Sequence, residues 1–259
     1  MKISKIAETQ INYDEMEKAL SNLGAKGWYP VNAGSGADYL IEFAGKQCYR
    51  SFDTALNANL TRANTRDNYD YIQQSIIAQG HGSVLEHGSV TYHVADVSRI
   101  VTHELVRHRP GTAYSQESGR YCRVDNLAER FYIPNCIKES SAMLDVFNRA
   151  IAQMEENVRE LEQLSDIDNQ GFTRKKELTS AFRRIIGNGQ GNDIVVTGNH
   201  RMWRHTITMR TDPSAEEEIR LLFSLIAEDL IRDFPAIYGD CEKRYHQSSD
   251  IPHYWLASV

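Results

Sequence analysis

Pro110 and Gly111 interrupt a heavily cationic run, Arg107-His108-Arg109-Pro110-Gly111-Thr112-Ala113-Tyr114-Ser115-Gln116-Glu117-Ser118-Gly119-Arg120-Tyr121. Proline lacks a backbone donor and pushes the residue before it out of the helical region, so a helix entering this run ends by Arg109. Gly111 then permits a turn. Upstream, Val97, Ile100, Val101 and Leu105 recur at i, i+3, i+4 and i+8, one face of a helix that sets the cations at its negative end. Arginine forks and a histidine held at such a break suit phosphates, carboxylates and flat rings better than a core. The competing reading of the same run is a solvated basic loop.

Around it, a short strand precedes a helix near Tyr13 to Leu23 and a glycine-rich loop through Gly34 and Gly36. Helices are expected over Asp38–Tyr49 and Arg66–Ala78, the second stopped by Gly80. Ser89–Val94 is rich in β-branched and aromatic residues and reads as a strand. Tyr121–Ile133 reads as extended chain, Glu139–Leu164 and Thr173–Ile186 as helices, and Ile194–Thr197 as a strand leading into a helix at Asn199. Asp212-Pro213 has the form of a cap followed by proline, opening a helix whose stripe is Ile219, Leu222, Phe223, Ile226 and Leu230. Helices and strands do not alternate regularly, which favours an α+β fold over a doubly wound sheet.

With 259 residues, 41% hydrophobic and 25% charged, the chain is long enough for a sizeable core. Its net charge of -6 disfavours nucleic acid as a partner and makes a local basic cluster a seat for a small anion. Cys48, Cys122, Cys136 and Cys241 are scattered without a CxxC pair, as expected of reduced thiols. Met1-Lys2-Ile3-Ser4-Lys5 lacks the apolar run of a signal peptide and no stretch is apolar enough to span a bilayer, so a cytoplasmic location with no membrane attachment is expected.

Two further constellations stand out. Gly80-His81-Gly82-Ser83-Val84-Leu85-Glu86-His87 is, taken alone, a turn with two histidines. In the run Val196 to Arg210, Arg201 and His205 share a helix face one turn apart, with Asn199 at the start. Spacing alone does not separate a ligand-holding face from a solvated one whose Trp203 and Ile207 pack inward. Arg183 lies sixteen residues before Asn199, with Arg184 beside it.

Arg107-His108-Arg109, eight residues, then Ser118-Gly119-Arg120-Tyr121 resembles the signature of the flavin-dependent thymidylate synthases, an Arg-His-Arg followed by seven or eight residues and a serine. The His81 segment is similar to that family's His-x-Ser/Thr-x-x-Glu-His, and the Asn199 segment to its C-terminal flavin-binding helix, in the family's order. The resemblance runs from about Glu42 to Glu242. It implies a methyltransferase that converts dUMP to dTMP with FAD, taking a methylene from 5,10-methylenetetrahydrofolate and reducing equivalents from NADPH. It implies a single-domain α+β fold, an antiparallel sheet flanked by helices, in a homotetramer whose sites are shared between subunits. Residues 1–40 would then be an N-terminal extension packed on the core, and residues 41–259 the synthase domain.

By the same resemblance His81, Ser83, Glu86, Arg107, His108, Arg109, Asn199, Arg201 and His205 would bind FAD. Glu104, Gln116, Ser118, Gly119, Arg120, Arg183 and Arg210 would bind dUMP, Gln116 on its uracil or its phosphate side. Catalytic roles fall to Ser118 and Arg210, Ser118 in substrate binding or activation and not as a covalent nucleophile. Cys48 stands where some members carry a serine, and Gly187 where a proline is common. No metal is implied.

Other patterns carry less. His103-Glu104-Leu105-Val106-Arg107-His108 is one residue too long for HExxH, so its histidines diverge around a helix. Asp166-Ile167-Asp168-Asn169-Gln170-Gly171 with Glu177 approaches an EF-hand loop, but Arg174, Lys175 and Lys176 oppose a divalent cation and a charged interhelical turn is favoured. Lys243-Arg244-Tyr245-His246 reads as surface. The rival functions are a flavin-binding module without synthase activity, and a single-stranded nucleic-acid binder built on Arg107, Arg109, Arg120 and Tyr121.

Overall fold

The computed structural model describes residues 1–53, 55–60, 66–123, 126–246 and 249–259. In chain order its elements are β1 (Lys2–Glu8), α1 (Tyr13–Asn22), α2 (Gly36–Tyr49), β2 (Ser51–Phe52), β3 (Ala55–Leu56), α3 (Asn68–Tyr71), β4 (Ser89–Ser98), α4 (Arg99–Leu105) and β5 (Thr112–Gln116). There follow α5 (Leu127–Arg130), α6 (Asn135–Lys138), α7 (Ser141–Leu164), α8 (Phe172–Phe182), β6 (Gly191–Asn199), α9 (His200–Arg210), α10 (Glu217–Asp233), α11 (Pro235–Tyr238), β7 (Glu242–His246) and β8 (Ser249–Trp255). Among the described residues a four-stranded sheet has the order β1-β4-β6-β5, and β2-β3 and β7-β8 are antiparallel pairs. The class is α+β, helices with antiparallel sheets, as expected. Among the described residues no helix is long and apolar enough to cross a membrane.

The chain builds two compact units, each from several stretches. The first comprises Met1–Ser4, His93–Arg107 and Tyr114–Val196; the second comprises Lys5–Tyr92, His108–Ala113 and Thr197–Val259. In the first, Ser98 ends β4 and caps α4, its hydroxyl accepting from the Val101 amide at 3.2 Å. Val101 and Leu105 are buried, and α7 turns Ile151 and Val158 inward. Arg130 closes on Asp96 at 3.0 Å, Asp193 at 2.8 Å and Glu117 at 3.5 Å, tying α5 to the strand ends. In the second, Leu20, Ala25, Trp28, Tyr39 and Phe52 form a buried cluster, with Trp28 edge-on to Phe52 at 5.1 Å. Trp203 packs edge-on to Tyr92 at 5.6 Å and against Phe223, and the whole α10 stripe from Ile219 to Leu230 is buried as its spacing demands.

Several expectations are corrected. Tyr121–Ile133 is not extended throughout: Leu127–Arg130 is helical, because Leu127 is buried and Arg130 must reach three carboxylates. Val124 and Asp125 lie outside the described residues. Asp212-Pro213 does not open α10, which starts at Glu217 with Glu216 as its cap. The Asp212 carboxylate instead accepts from the Ser214 amide at 2.9 Å and hydroxyl at 2.5 Å, so it closes a turn. The helix expected over Arg66–Ala78 is α3 followed by a π-helix, Ile72–Ile77. Val97 belongs to β4, and the cationic run contains a strand, β5. In the EF-hand-like turn, Asp168 pairs with Arg123 at 2.8 Å and Asp166 accepts from Asn169 at 2.8 Å, so both carboxylates have protein partners. The Lys243–His246 strand is exposed, as expected.

Candidate active site

In the second unit, three separate motifs meet through side-chain bonds. Asn199 caps α9, its Oδ1 accepting from the Met202 amide at 2.8 Å, and its own amide donates to the Gly111 carbonyl at 3.0 Å. Gly111 has φ +71°, and a Cβ there would stand 2.3 Å from Asn199 Nδ2; only glycine lets the turn and the cap approach this closely. The Thr112 hydroxyl donates to the carbonyls of His108 at 2.7 Å and Arg109 at 3.0 Å, which braces the Pro110 turn. At the far end of α9, Arg210 Nε donates to His108 Nε2 at 2.7 Å. Burial, then the nearby Arg210 and His205, push His108 down to about pH 4, so it is a neutral acceptor at neutral pH. At the near end, Arg201 Nη1 donates to Glu86 at 2.6 Å. Glu86 closes the 3-10 turn Gly82–Glu86, which also carries Ser83 and follows His81. Arg201, His205 and Thr208 line a cleft of about 840 Å³. His81 and Ser83 face a second cleft, about 480 Å³, together with Cys48, Tyr49 and Arg66.

In the first unit, a different set converges. The Ser118 carbonyl accepts from the Tyr121 and Cys122 amides, both at 3.0 Å, and its hydroxyl accepts from the Arg120 amide at 3.4 Å. A Cβ on Gly119 would lie 3.2 Å from Arg99 Nη2 and 3.5 Å from Arg183 Cδ, so two guanidinium side chains frame this turn. Burial and then Arg183 lower the pKa of Arg99. Glu104 and Gln116 line a cleft of about 550 Å³ with Arg99, Thr102 and Asn188. Gln116 Nε2 donates to Thr102 at 3.1 Å and Asn192 at 2.6 Å, which fixes the orientation of the amide.

A family model described as thymidylate synthase complementing protein matches residues 31–236. The flavin-dependent thymidylate synthase of Mycolicibacterium vanbaalenii is 37% identical over 80% of this chain and 80% of its own, and that of Corynebacterium efficiens is 35% identical over 79% and 80%. The chain belongs to the flavin-dependent thymidylate synthase family. The fold agrees: a Helicobacter pylori flavin-dependent thymidylate synthase complexed with FAD and dUMP superposes with a TM-score of 0.58 at 16% identity, over 93% of this chain and 99% of that one. A UMP/dUMP methylase from Streptomyces cacaoi gives 0.60 at 15% identity, over 91% and 92%.

Set on the units of this family member, the residues expected to hold cofactor fall in the second, His81, Ser83, Glu86, His108, Arg109, Asn199, Arg201 and His205, except Arg107. Those expected to hold substrate fall in the first, Glu104, Gln116, Ser118, Gly119, Arg120 and Arg183, except Arg210. The second unit's polar groups fit a flavin dinucleotide: arginine edges and a neutral imidazole. Arg99 is the residue that motif reading misses. Its signal was present, since a cation at the first position of a helix opposes the dipole and needs another reason to be there.

Proposed function

We propose that this chain converts dUMP to dTMP as an FAD-dependent thymidylate synthase, with 5,10-methylenetetrahydrofolate as methylene donor and NADPH as reductant. The observation that carries the reading is the meeting of three motifs in one unit, Glu86 with Arg201 at 2.6 Å and His108 with Arg210 at 2.7 Å. FAD supplies hydride chemistry when bound. The chain's own part is to bind and orient. Arg109, Arg201, His205 and the Asn199 amide nitrogen take the cofactor, with His81, Ser83 and Glu86 on the facing turn and Arg107 on the run. Arg99, Arg120 and Arg183, with the Ser118 hydroxyl and the Gly119 amide, take the phosphate of dUMP. Arg210, steadied by neutral His108, holds the pyrimidine and stabilises charge that develops on it. Among the described residues no histidine or carboxylate bonds the Ser118 hydroxyl, which supports a binding role over a nucleophilic one. The same reading includes the N-terminal extension over residues 1–40, a homotetramer and a cytoplasmic location.

The test is anaerobic. Reduced by NADPH and then given dUMP and methylenetetrahydrofolate, the protein is expected to reoxidise its flavin and form stoichiometric dTMP. Bound, reducible flavin with no dTMP, and no methylated product from UMP either, would leave only a flavin module. Protein that takes up no FAD would overturn the assignment.

A further inference from the structure

The segment Trp255–Val259 starts at the last residue of β8 and lies beyond residue 236, where the family match ends. Nothing in the function proposed above employs it, yet it touches both groups of cofactor residues in the second unit. On one side, a Cβ built on Gly82 would stand 2.5 Å from the backbone carbon of Val259, so the segment rests directly on the turn that carries Ser83 and Glu86. On the other side, Arg201 Nε donates to the Val259 carbonyl at 3.1 Å. Trp255 to Val259 also line the cleft of about 840 Å³ formed with Arg201 and His205.

The segment is anchored. Arg204 is 1% exposed, and its fork closes on both oxygens of Asp240 at 2.6 and 2.7 Å. The same guanidinium donates to the Ala257 carbonyl at 3.0 Å, while the Ala257 amide returns to Asp240 at 3.0 Å. The Leu256 amide donates to the Thr208 hydroxyl at 3.0 Å. A buried arginine is costly unless its charge is paired and hydrogen-bonded; both Nη nitrogens of Arg204 have acceptors, and two of these, Asp240 and the Ala257 carbonyl, fix the path of the segment.

Arg201 is the residue through which that path bears on ligand binding. Among the described residues Glu86 takes its Nη1 and Val259 its Nε, which leaves the Nη2 edge to a ligand. An exposed arginine otherwise spreads over many rotamers and loses that freedom on binding; one already clamped at two nitrogens does not. We propose that Trp255–Val259 is a wall of the cofactor site that pre-orients Arg201 for an anionic group of a flavin dinucleotide, with Gly82 and the Arg204–Asp240 pair as positioning residues. The proposal rests on the FAD reading above.

The test measures FAD dissociation constants by flavin fluorescence, with thermal midpoints alongside. It compares the parent, Gly82→Ala, a chain ending at Trp255, Arg201→Ala, and the double variant Gly82→Ala/Arg201→Ala. Gly82→Ala and the shortened chain should each weaken FAD about tenfold, as expected for a hydrogen bond to a charged group. Arg201→Ala should do the same, and the double variant should be little weaker than either single one, because both act through one guanidinium. If Gly82→Ala melts early, the shortened chain decides. Parent-like FAD affinity in both altered chains, or full additivity in the double variant, overturns the proposal while the FAD reading stands. A parent that binds no FAD takes down both.

Discussion

His108 and Arg210 form a pair in which the proton inventory decides the function. Arg210 can donate to His108 Nε2 only while that nitrogen is unprotonated, and burial beside two other basic groups keeps it so down to about pH 4. Glutamine keeps an acceptor oxygen and leucine does not. His108→Gln should therefore hold dUMP within a few-fold of the parent, whereas His108→Leu should weaken it about tenfold by removing the bond that orients Arg210 Nε. Calorimetric titration with dUMP checks this, and equal losses in the two variants would show that the bond does not matter. Arg99 poses a second residue-scale question. It stands with Arg183 over Gly119, half-buried and with its pKa lowered, a state two like charges hold more readily when an anion joins them. Arg99→Ala should weaken dUMP at least tenfold yet leave FAD affinity unchanged, since every group expected to touch FAD except Arg107 lies in the other unit. Loss of both ligands together would mean that Arg99 is structural.

At the scale of elements, α9 shows how much a sequence discloses. Its start was legible because Asn199 carries a capping side chain, and its face was legible because Trp203 and Ile207 pack inward. What spacing left open, whether Arg201 and His205 face water or a ligand, depends on partners distant in sequence, Glu86 and His108 among them. The π-turn at Ile72–Ile77 left no trace in the pattern, because five-residue and four-residue bonding bury nearly the same side chains. Asp212-Pro213 misled for a local reason: Ser214 two residues on captures the carboxylate first. Asn199 also separates cap from ligand contact. Asn199→Ala removes the cap and should cost about 1 kcal/mol of stability. Asn199→Asp keeps an acceptor for the Met202 amide but loses the Nδ2 donor, so it should melt near the parent while binding FAD more weakly. Thermal midpoints and FAD titrations of the two variants separate these effects, and an Asn199→Asp chain that binds FAD like the parent would confine Asn199 to capping.

For the whole molecule, the second unit buries groups whose titrations oppose one another, and the balance sets its response to acid. Burial drives His108 down to about 4 and His200, fully enclosed beside Tyr238, down to about 3, both from 6.5. The unfolded chain binds these protons first, so stability falls as pH drops below 6.5. Asp38 has the opposite sign. Burial outweighs the Ser35 hydroxyl and the neighbouring amides and pushes its carboxyl from 3.8 up to about 6, so the folded chain takes that proton first and gains relative stability as pH falls through 6. Near pH 5 unfolding thus takes up two histidine protons against one released from Asp38. Asp38→Asn removes only the opposing contribution. The variant should be more stable than the parent at pH 7, where the parent carries a buried charge, and should lose stability with falling pH more steeply between 6 and 4, by about 1.4 kcal/mol per unit. Urea unfolding at pH 7, 6 and 5 checks both signs at once. Parallel pH profiles for the two proteins would mean that Asp38 is already ionised and satisfied in the folded state.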